Sequence, residues 1–144
     1  MIQNVKFLIE KDVDFLKAYE MLSPDQFKIL SNLAKENNLK LTGHVPLSMD
    51  VIEASNLGLN SIEHLRNIEL SMTKQSDGLS EEREDLLKNK SGLEGSDLRS
   101  LIHSMQRMRS INDLDSMKIK NVIDVLIKNN VCLLYTSDAA DEWR

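Results

Sequence analysis

Three residues of types that bind metals or do catalysis, Lys17, His44 and His64, each stand at or next to the end of a predicted strand. A neutral imidazole is a common zinc ligand, and a lysine amine is a nucleophile once it loses its proton. Taken singly, each has an ordinary explanation, since a histidine after a strand is usually hydrogen-bonded and a lysine ammonium is usually in water. Their recurrence on three successive strand ends favours a shared metal-binding or catalytic role over three separate structural roles.

Short runs of strand length predict the elements that position these residues. We expect strands over 13–19, 39–44 and 60–64, separated by two helices. Strands that alternate with helices favour a parallel sheet with right-handed crossovers. The carboxyl ends of such strands share one edge, which is where parallel α/β folds bind their ligands.

Capping signals mark where the two intervening helices begin and end. Ser23, Pro24 and Gln26 form a capping box with proline at the first helical position, which predicts a helix start. Ser48 is expected to cap the second helix, and Gly58 to end it.

The second half of the chain, from residue 67 to residue 131, has a helical and polar pattern. We predict helices over about 96–110 and 114–128, with His103 as a packing or surface residue of the first. We also leave open that this half is a helical interaction module, although a long apolar helical stripe is more often core.

Composition limits the classes of function. The chain has 144 residues, 41% of them hydrophobic and 28% charged, which is typical of a globular protein. A net charge of −5 gives no basic surface for nucleic acid, and a single cysteine, Cys132, excludes an intramolecular disulfide and a cysteine-based zinc cluster. We expect neither a nucleic-acid nor a membrane partner, and we predict no localisation.

Three ordered segments resemble the amidohydrolase superfamily, in its imidazolonepropionase-like and prolidase-like branch. They are Asp14–Tyr19 (DFLKAY), Gly43–Pro46 (GHVP) and Ser61–Leu65 (SIEHL). The resemblance implies an α/β fold, a partial (β/α)8 TIM barrel holding about strands four to six, followed by a mostly helical half. Residues 1–131 would be this barrel fragment, with 12–66 as its strand–helix core and 67–131 as a helical excursion.

The same resemblance implies roles for the three residues. Lys17 corresponds to a lysine that reacts with CO2 and bridges two divalent ions, which are usually zinc, as a carbamate. His44 and His64 correspond to imidazole ligands on the next two strands. The implied function is metal-dependent hydrolysis of a C–N bond in an amide, a cyclic amide or a dipeptide-like small molecule. We leave open that the parent protein is a homo-oligomer. We interpreted Glu63 as structural, because a regular strand turns adjacent side chains to opposite faces.

A second interpretation uses Lys17 as the Schiff-base lysine of a class I aldolase barrel. That interpretation leaves His44 and His64 without a role, so we rank it below the hydrolase.

The family's first-strand His-x-His pair and eighth-strand Asp have no counterpart here. We therefore expect the chain to be an internal fragment that is inactive alone. Residues 132–144 resemble the translation of a sequencing-library transposon end, and we predict that this tail is not native.

Overall fold

The computed structural model describes residues 1–89 and 92–134 of the chain. These residues make an α/β fold. The elements in chain order are α1 (Ile2–Glu10), β1 (Phe15–Ala18), α2 (Pro24–Glu36), β2 (Lys40–Gly43), α3 (Val51–Leu57), β3 (Ser61–Glu63), α4 (Ile68–Met72), α5 (Ser76–Asn89), α6 (Gly95–Asn112), α7 (Ser116–Lys128) and β4 (Cys132–Leu134).

The four strands form one sheet in the order β1-β2-β3-β4, and every pair of neighbours is parallel. The register sets Lys17 opposite Thr42 and Gly43 opposite Ile62. The carboxyl ends of all four strands therefore lie at one edge of the sheet. The three strands and the parallel crossovers that we predicted from the sequence are confirmed.

The prediction of a partial (β/α)8 barrel is wrong. Within the described residues the sheet is open, with β1 and β4 as unpaired edges and a fourth strand that follows four successive helices. Closing a barrel requires about eight tilted and staggered strands. Alternation of three strands with helices is a local pattern that an open parallel sheet satisfies equally well, so it does not encode closure.

Residues of α2, α3 and α7 share a core with the buried side chains of the strands, and the side chains along β1 alternate accordingly. Leu16 and Ala18 of β1 are buried, whereas Phe15, Lys17 and Tyr19 on the other face are exposed. The main core joins strand residues to the inner faces of α2, α3 and α7, and includes Leu16, Phe27, Leu30, Ala34, Leu41, Ala54, Ile62, Val122 and Leu126. Phe27 is fully buried, which stabilises the fold by roughly 3 kcal/mol relative to an exposed ring.

One of the two predicted N-terminal helix caps is correct, and Gly58 ends α3 in the left-handed conformation, as predicted. Ser23 and Gln26 form the reciprocal capping box at the start of α2. The residue that caps α3 is Asp50, whose carboxylate accepts a bond from the amide of Glu53. Ser48 instead donates to the carbonyl of Leu22, 2.7 Å away, because the chain between β2 and α3 first returns toward the loop after β1.

The second half of the chain packs against the loops that leave the sheet. Leu98 and Ile102 of α6 form a buried cluster with Leu47, which follows β2. Arg83 of α5 is buried and donates to the side chain of Gln106 on α6, 2.7 Å away. Burial lowers the pKa of the Arg83 guanidinium to about 10. The helices thus border the carboxyl edge of the sheet.

The domain boundary that we predicted after residue 131 falls between α7 and β4. Residues 132–134 pair with β3, while residues 135–144 of the predicted non-native tail lie outside the described residues. The origin of the tail stays a prediction. In the part of the chain that is described, no helix combines the length and hydropathy needed to cross a membrane.

Gly43, the last residue of β2, lets the first two strands approach closely. It has a φ of 124°, a conformation that is essentially restricted to glycine. A Cβ atom at this position would overlap the carbonyl oxygen of Ala18. That same oxygen accepts a bond from the amide of His44 at 3.1 Å, so Gly43 also fixes the backbone of His44.

We therefore expect Gly43→Ala to lower the free energy of unfolding by at least about 3 kcal/mol, because it combines backbone strain with overlap. Urea denaturation followed by circular dichroism measures this change. Gly78→Ala is the matched control: Gly78 lies inside α5 with no atom near the added methyl group. Alanine there should stabilise by about 0.5–1 kcal/mol. Equal effects of the two substitutions would contradict the proposed role of Gly43.

Candidate metal centre

The carboxyl edge of the sheet brings together residues from the ends of two neighbouring strands, β2 and β3. His44 follows β2, Glu63 ends β3, and His64 follows it directly. The amide of His64 donates to the carbonyl of Leu134 in β4 at 2.7 Å. Backbone hydrogen bonds to the two flanking strands thus hold both histidines at this edge.

His44, Glu63 and His64 form a cluster in which one potential ligand atom from each residue lies within 4.8 Å of the others. The Glu63 Oε2 atom is 3.9 Å from His44 Nε2 and 4.0 Å from His64 Nε2. The His44 side chain is only 5% exposed, and that of His64 is 36% exposed. The cluster is therefore closed on the His44 side and open to solvent on the His64 side.

Our expectation that Glu63 turns away from His64 is wrong. His64 has a φ of 59°, Leu65 of 50° and Asn67 of 66°, which lie in the left-handed region that non-glycine residues seldom adopt. The chain therefore leaves the strand conformation at His64, and the alternation of side chains ends with Glu63. As a result, the adjacent side chains of Glu63 and His64 both reach the cluster. Left-handed residues of this kind often occur at functional sites.

The His44 ring is buried without an aligned hydrogen bond. Both of its nitrogens are inaccessible, and neither has a hydrogen-bond partner among the described residues. An unsatisfied buried polar group costs about 1–3 kcal/mol, so native proteins seldom retain one without a reason. Nε2 faces Glu63, and the His64 ring packs edge-on with a centroid separation of 5.4 Å.

Lys17 reaches the same cluster from β1. Its ammonium donates to Glu63 Oε2 at 2.6 Å, and its side chain is 47% exposed. The structure thus brings all three residues singled out from the sequence to one edge, with Glu63 between Lys17 and the histidines. Carboxylation of Lys17 would require the amine to lose its proton and release Glu63.

Glu20 is the main feature that the sequence reading missed. Its side chain is fully buried just beyond β1, and its Oε1 atom lies 3.1 Å from His44 Nδ1. Its Oε2 atom lies 3.2 Å from Nε2 of His103, on α6. His103 therefore contacts the residue next to the cluster, rather than only packing within its helix. A signal was available, since Glu20 follows Leu16 and Ala18 at the period of two that marks the buried face.

Two guanidinium groups complete the surroundings of Glu20. Arg66 Nη1 is 3.9 Å from Oε1, and Arg99 Nε is 3.7 Å from Oε2. Burial alone would raise the pKa of Glu20, but the hydrogen bond with His103 and the proximity of the His103 and His44 imidazoles hold it well below the ordinary value of 4.5. Glu20 is thus a buried anion neutralised by residues from three segments of the chain.

The donor set of the cluster fits a divalent ion such as zinc. Two imidazoles and one carboxylate are a known ligand set of catalytic zinc sites, which keep a fourth position open. Zinc bonds of about 2.1 Å in a tetrahedron separate the ligand atoms by about 3.4 Å. The 3.9 Å and 4.0 Å separations seen here exceed that by a few tenths of an ångström, which small side-chain rotations can close.

Two cavities of about 460 Å³ lie beside the helices rather than at the cluster. The first is lined by Glu20, Ser23, Gln26 and Leu98, among others, and the second by Asp50, Glu53 and Arg83. Neither is lined by His44, Glu63 or His64. The open side of the cluster is the edge near His64, whose side chain is 36% exposed.

Replacing Glu20 should cost stability in a pH-dependent way. We expect Glu20→Gln to lower the free energy of unfolding by about 1–3 kcal/mol near neutral pH, because it removes the counter-charge of Arg66, Arg99 and His103, which are partly exposed. A carboxylate whose pKa is depressed by folding stabilises above its unfolded pKa, and this contribution is lost as the pH falls. The difference between wild type and variant should therefore shrink as the pH falls below 4.5.

Chemical denaturation from about pH 6 down to about pH 3 measures that difference. Glu36→Gln, at an exposed position of α2, is the control and should change stability by less than about 0.5 kcal/mol at each pH. A Glu20→Gln penalty that grows on acidification would contradict the account of Glu20 as a stabilised anion.

Comparisons with protein-family models, with curated proteins and with solved structures found no match to this chain. The resemblance to the amidohydrolase superfamily therefore stays a prediction. The donor set, its burial and its geometry support a metal centre at His44, Glu63 and His64.

Proposed function

We propose that this chain binds a divalent metal ion, with zinc as the preferred ion, through His44, His64 and Glu63, and that the site serves hydrolysis of C–N bonds. The buried Nε2 atom of His44, which lacks a hydrogen-bond partner and faces Glu63, supports this proposal most directly. An imidazole in this situation has a lone pair available for a metal. The hydrolase part of the proposal rests on the resemblance of the three strand-end motifs.

A divalent ion at such a site supplies Lewis acidity toward a substrate carbonyl and lowers the pKa of a water molecule. The residues of the chain would do the rest. His44 and the core beneath it exclude water from one side, while the exposed edge at His64 leaves a direction of approach for a small amide or dipeptide-like substrate. The Glu63 carboxylate would offset part of the positive charge.

The geometry gives less support to the aldolase interpretation. A Schiff-base lysine needs a neutral amine in a dry pocket. Lys17 is about half exposed and donates to Glu63, and a Schiff base would leave His44 and His64 without a role.

We expect the purified chain to bind one equivalent of zinc, and His44→Gln to weaken binding by at least about 100-fold, since it removes one of three protein ligands. Competition against a chromophoric chelator measures the affinity. Glu63→Gln should weaken binding by about 10- to 100-fold, the loss typical of a perturbed zinc site. Glu82→Gln is the matched control, because Glu82 is also a partly buried carboxylate paired with a cation, Arg109.

Two results would count against this proposal. Zinc affinity that is unchanged in His44→Gln would exclude the site. Zinc binding by the gene's full product without hydrolysis of N-acyl amino acids, dipeptides or cyclic amides would leave a metal site but exclude the hydrolase.

The role of Lys17 as a carbamate ligand makes a separate prediction. Bicarbonate should raise the zinc content of wild type from one equivalent toward two, and Lys17→Ala should abolish this increase, because the bridging ligand is lost. Metal analysis measures the content, and a carbamate signal from ¹³C-labelled bicarbonate identifies the modified lysine. Lys11→Ala, at an exposed lysine just after α1, is the control. An increase that survives in Lys17→Ala would contradict the carbamate.

A further inference from the structure

The Glu20 carboxylate lies on the far side of the His44 ring from Glu63. Oε1 of Glu20 is 3.1 Å from Nδ1, whereas Oε2 of Glu63 is 3.9 Å from Nε2. A histidine that ligates a metal through one nitrogen usually donates the other N–H to a carboxylate or carbonyl, which fixes both its tautomer and its orientation. Glu20 is in the position of that acceptor.

From this geometry we infer that Glu20 is a positioning residue, which holds His44 with its proton on Nδ1 and its Nε2 lone pair directed at Glu63 and His64. The inference rests on the metal site proposed above. The 3.1 Å separation is within hydrogen-bond range, but the ring is not aligned for a bond. Such contacts often tighten only when the ligand is bound, and a modest ring rotation would align this one.

The α6 helix fixes the other end of the same carboxylate. His103 lies 3.2 Å from Oε2 of Glu20, and Arg99, one turn earlier, lies 3.7 Å from it. Because Glu20 has no exposed surface, its carboxylate cannot turn to water and must keep this arrangement. The second half of the chain would thus support the site through α6.

Histidine tautomers are directly measurable in the metal-free protein. The chain has three histidines, so the variants His64→Gln and His103→Gln assign the His44 signals in a long-range ¹H–¹⁵N correlation spectrum. At about pH 8 we expect a protonated Nδ1 and an unprotonated Nε2 for His44, because Nδ1 is the nitrogen that faces the Glu20 carboxylate. The reverse pattern, or protonation of both nitrogens, would overturn the inference without any reference to metal.

Zinc affinity supplies the second test. Glu20→Gln keeps an acceptor oxygen but removes the charge, and Glu20→Met removes both, so we expect affinity to fall by about 10-fold and about 100-fold respectively. One equivalent should still bind in each variant. Glu69→Gln is the matched control, because Glu69 is also buried, and its ion-pair partner is Arg107.

The outcomes separate this inference from the proposed function. Failure of the wild-type chain to bind zinc would exclude the metal site, while the tautomer would still test the role of Glu20. Zinc binding that is equally tight in wild type and in folded Glu20→Met would overturn the positioning role alone. His103→Leu provides a variant that leaves both Glu20 and His44 unchanged, and it should weaken zinc binding less than Glu20→Met does. In the double variant, the loss of binding free energy should be smaller than the sum of the two single losses.

Discussion

The burial of Glu20 is the constraint on which the arrangement of the site depends. Moving an ionised carboxylate out of water is costly unless ion pairs and hydrogen bonds compensate for the lost solvation. The compensating groups come from distant parts of the chain, namely His44 after β2, Arg66 after β3, and Arg99 and His103 on α6. To bring them together, the three strand ends and α6 must occupy fixed relative positions. One buried charge thus links the sheet to the helical half.

The sequence predicted which residues meet at the carboxyl edge of the sheet, but it predicted neither the orientation of Glu63 nor the buried carboxylate of Glu20. Lys17, His44 and His64 could be found because parallel strands place their carboxyl ends together, which is a property of local pattern and connectivity. Glu63 could not be assigned correctly, because the left-handed backbone at His64 ends the strand in a way that no residue type there indicates. Glu20 was missed because a glutamate is seldom fully buried, although its position continues the buried period-two series of Leu16 and Ala18.

The extent of the sheet was predictable only in part. Local sequence patterns predict strands β1 to β3 and the capping box at Ser23, and the structure has both where they were expected. The fourth strand depends on a pairing between β3 and residues 132–134 across four intervening helices. Such a long-range pairing produces no periodic pattern in the sequence, so the sequence did not predict the fourth strand. The difference between an open sheet and a closed barrel produces no such pattern either.

Glu63 connects Lys17 to the two histidines of the candidate site. Its Oε2 atom accepts from Lys17 at 2.6 Å, and the same atom is the one nearest to His44 and His64. A metal ion between the histidines would therefore compete with the lysine ammonium for one oxygen. Carboxylation of Lys17 would remove that competition, since it converts the cation into an anionic ligand. At the proposed metal site, metal binding and the chemical state of Lys17 would thus be coupled through a single carboxylate.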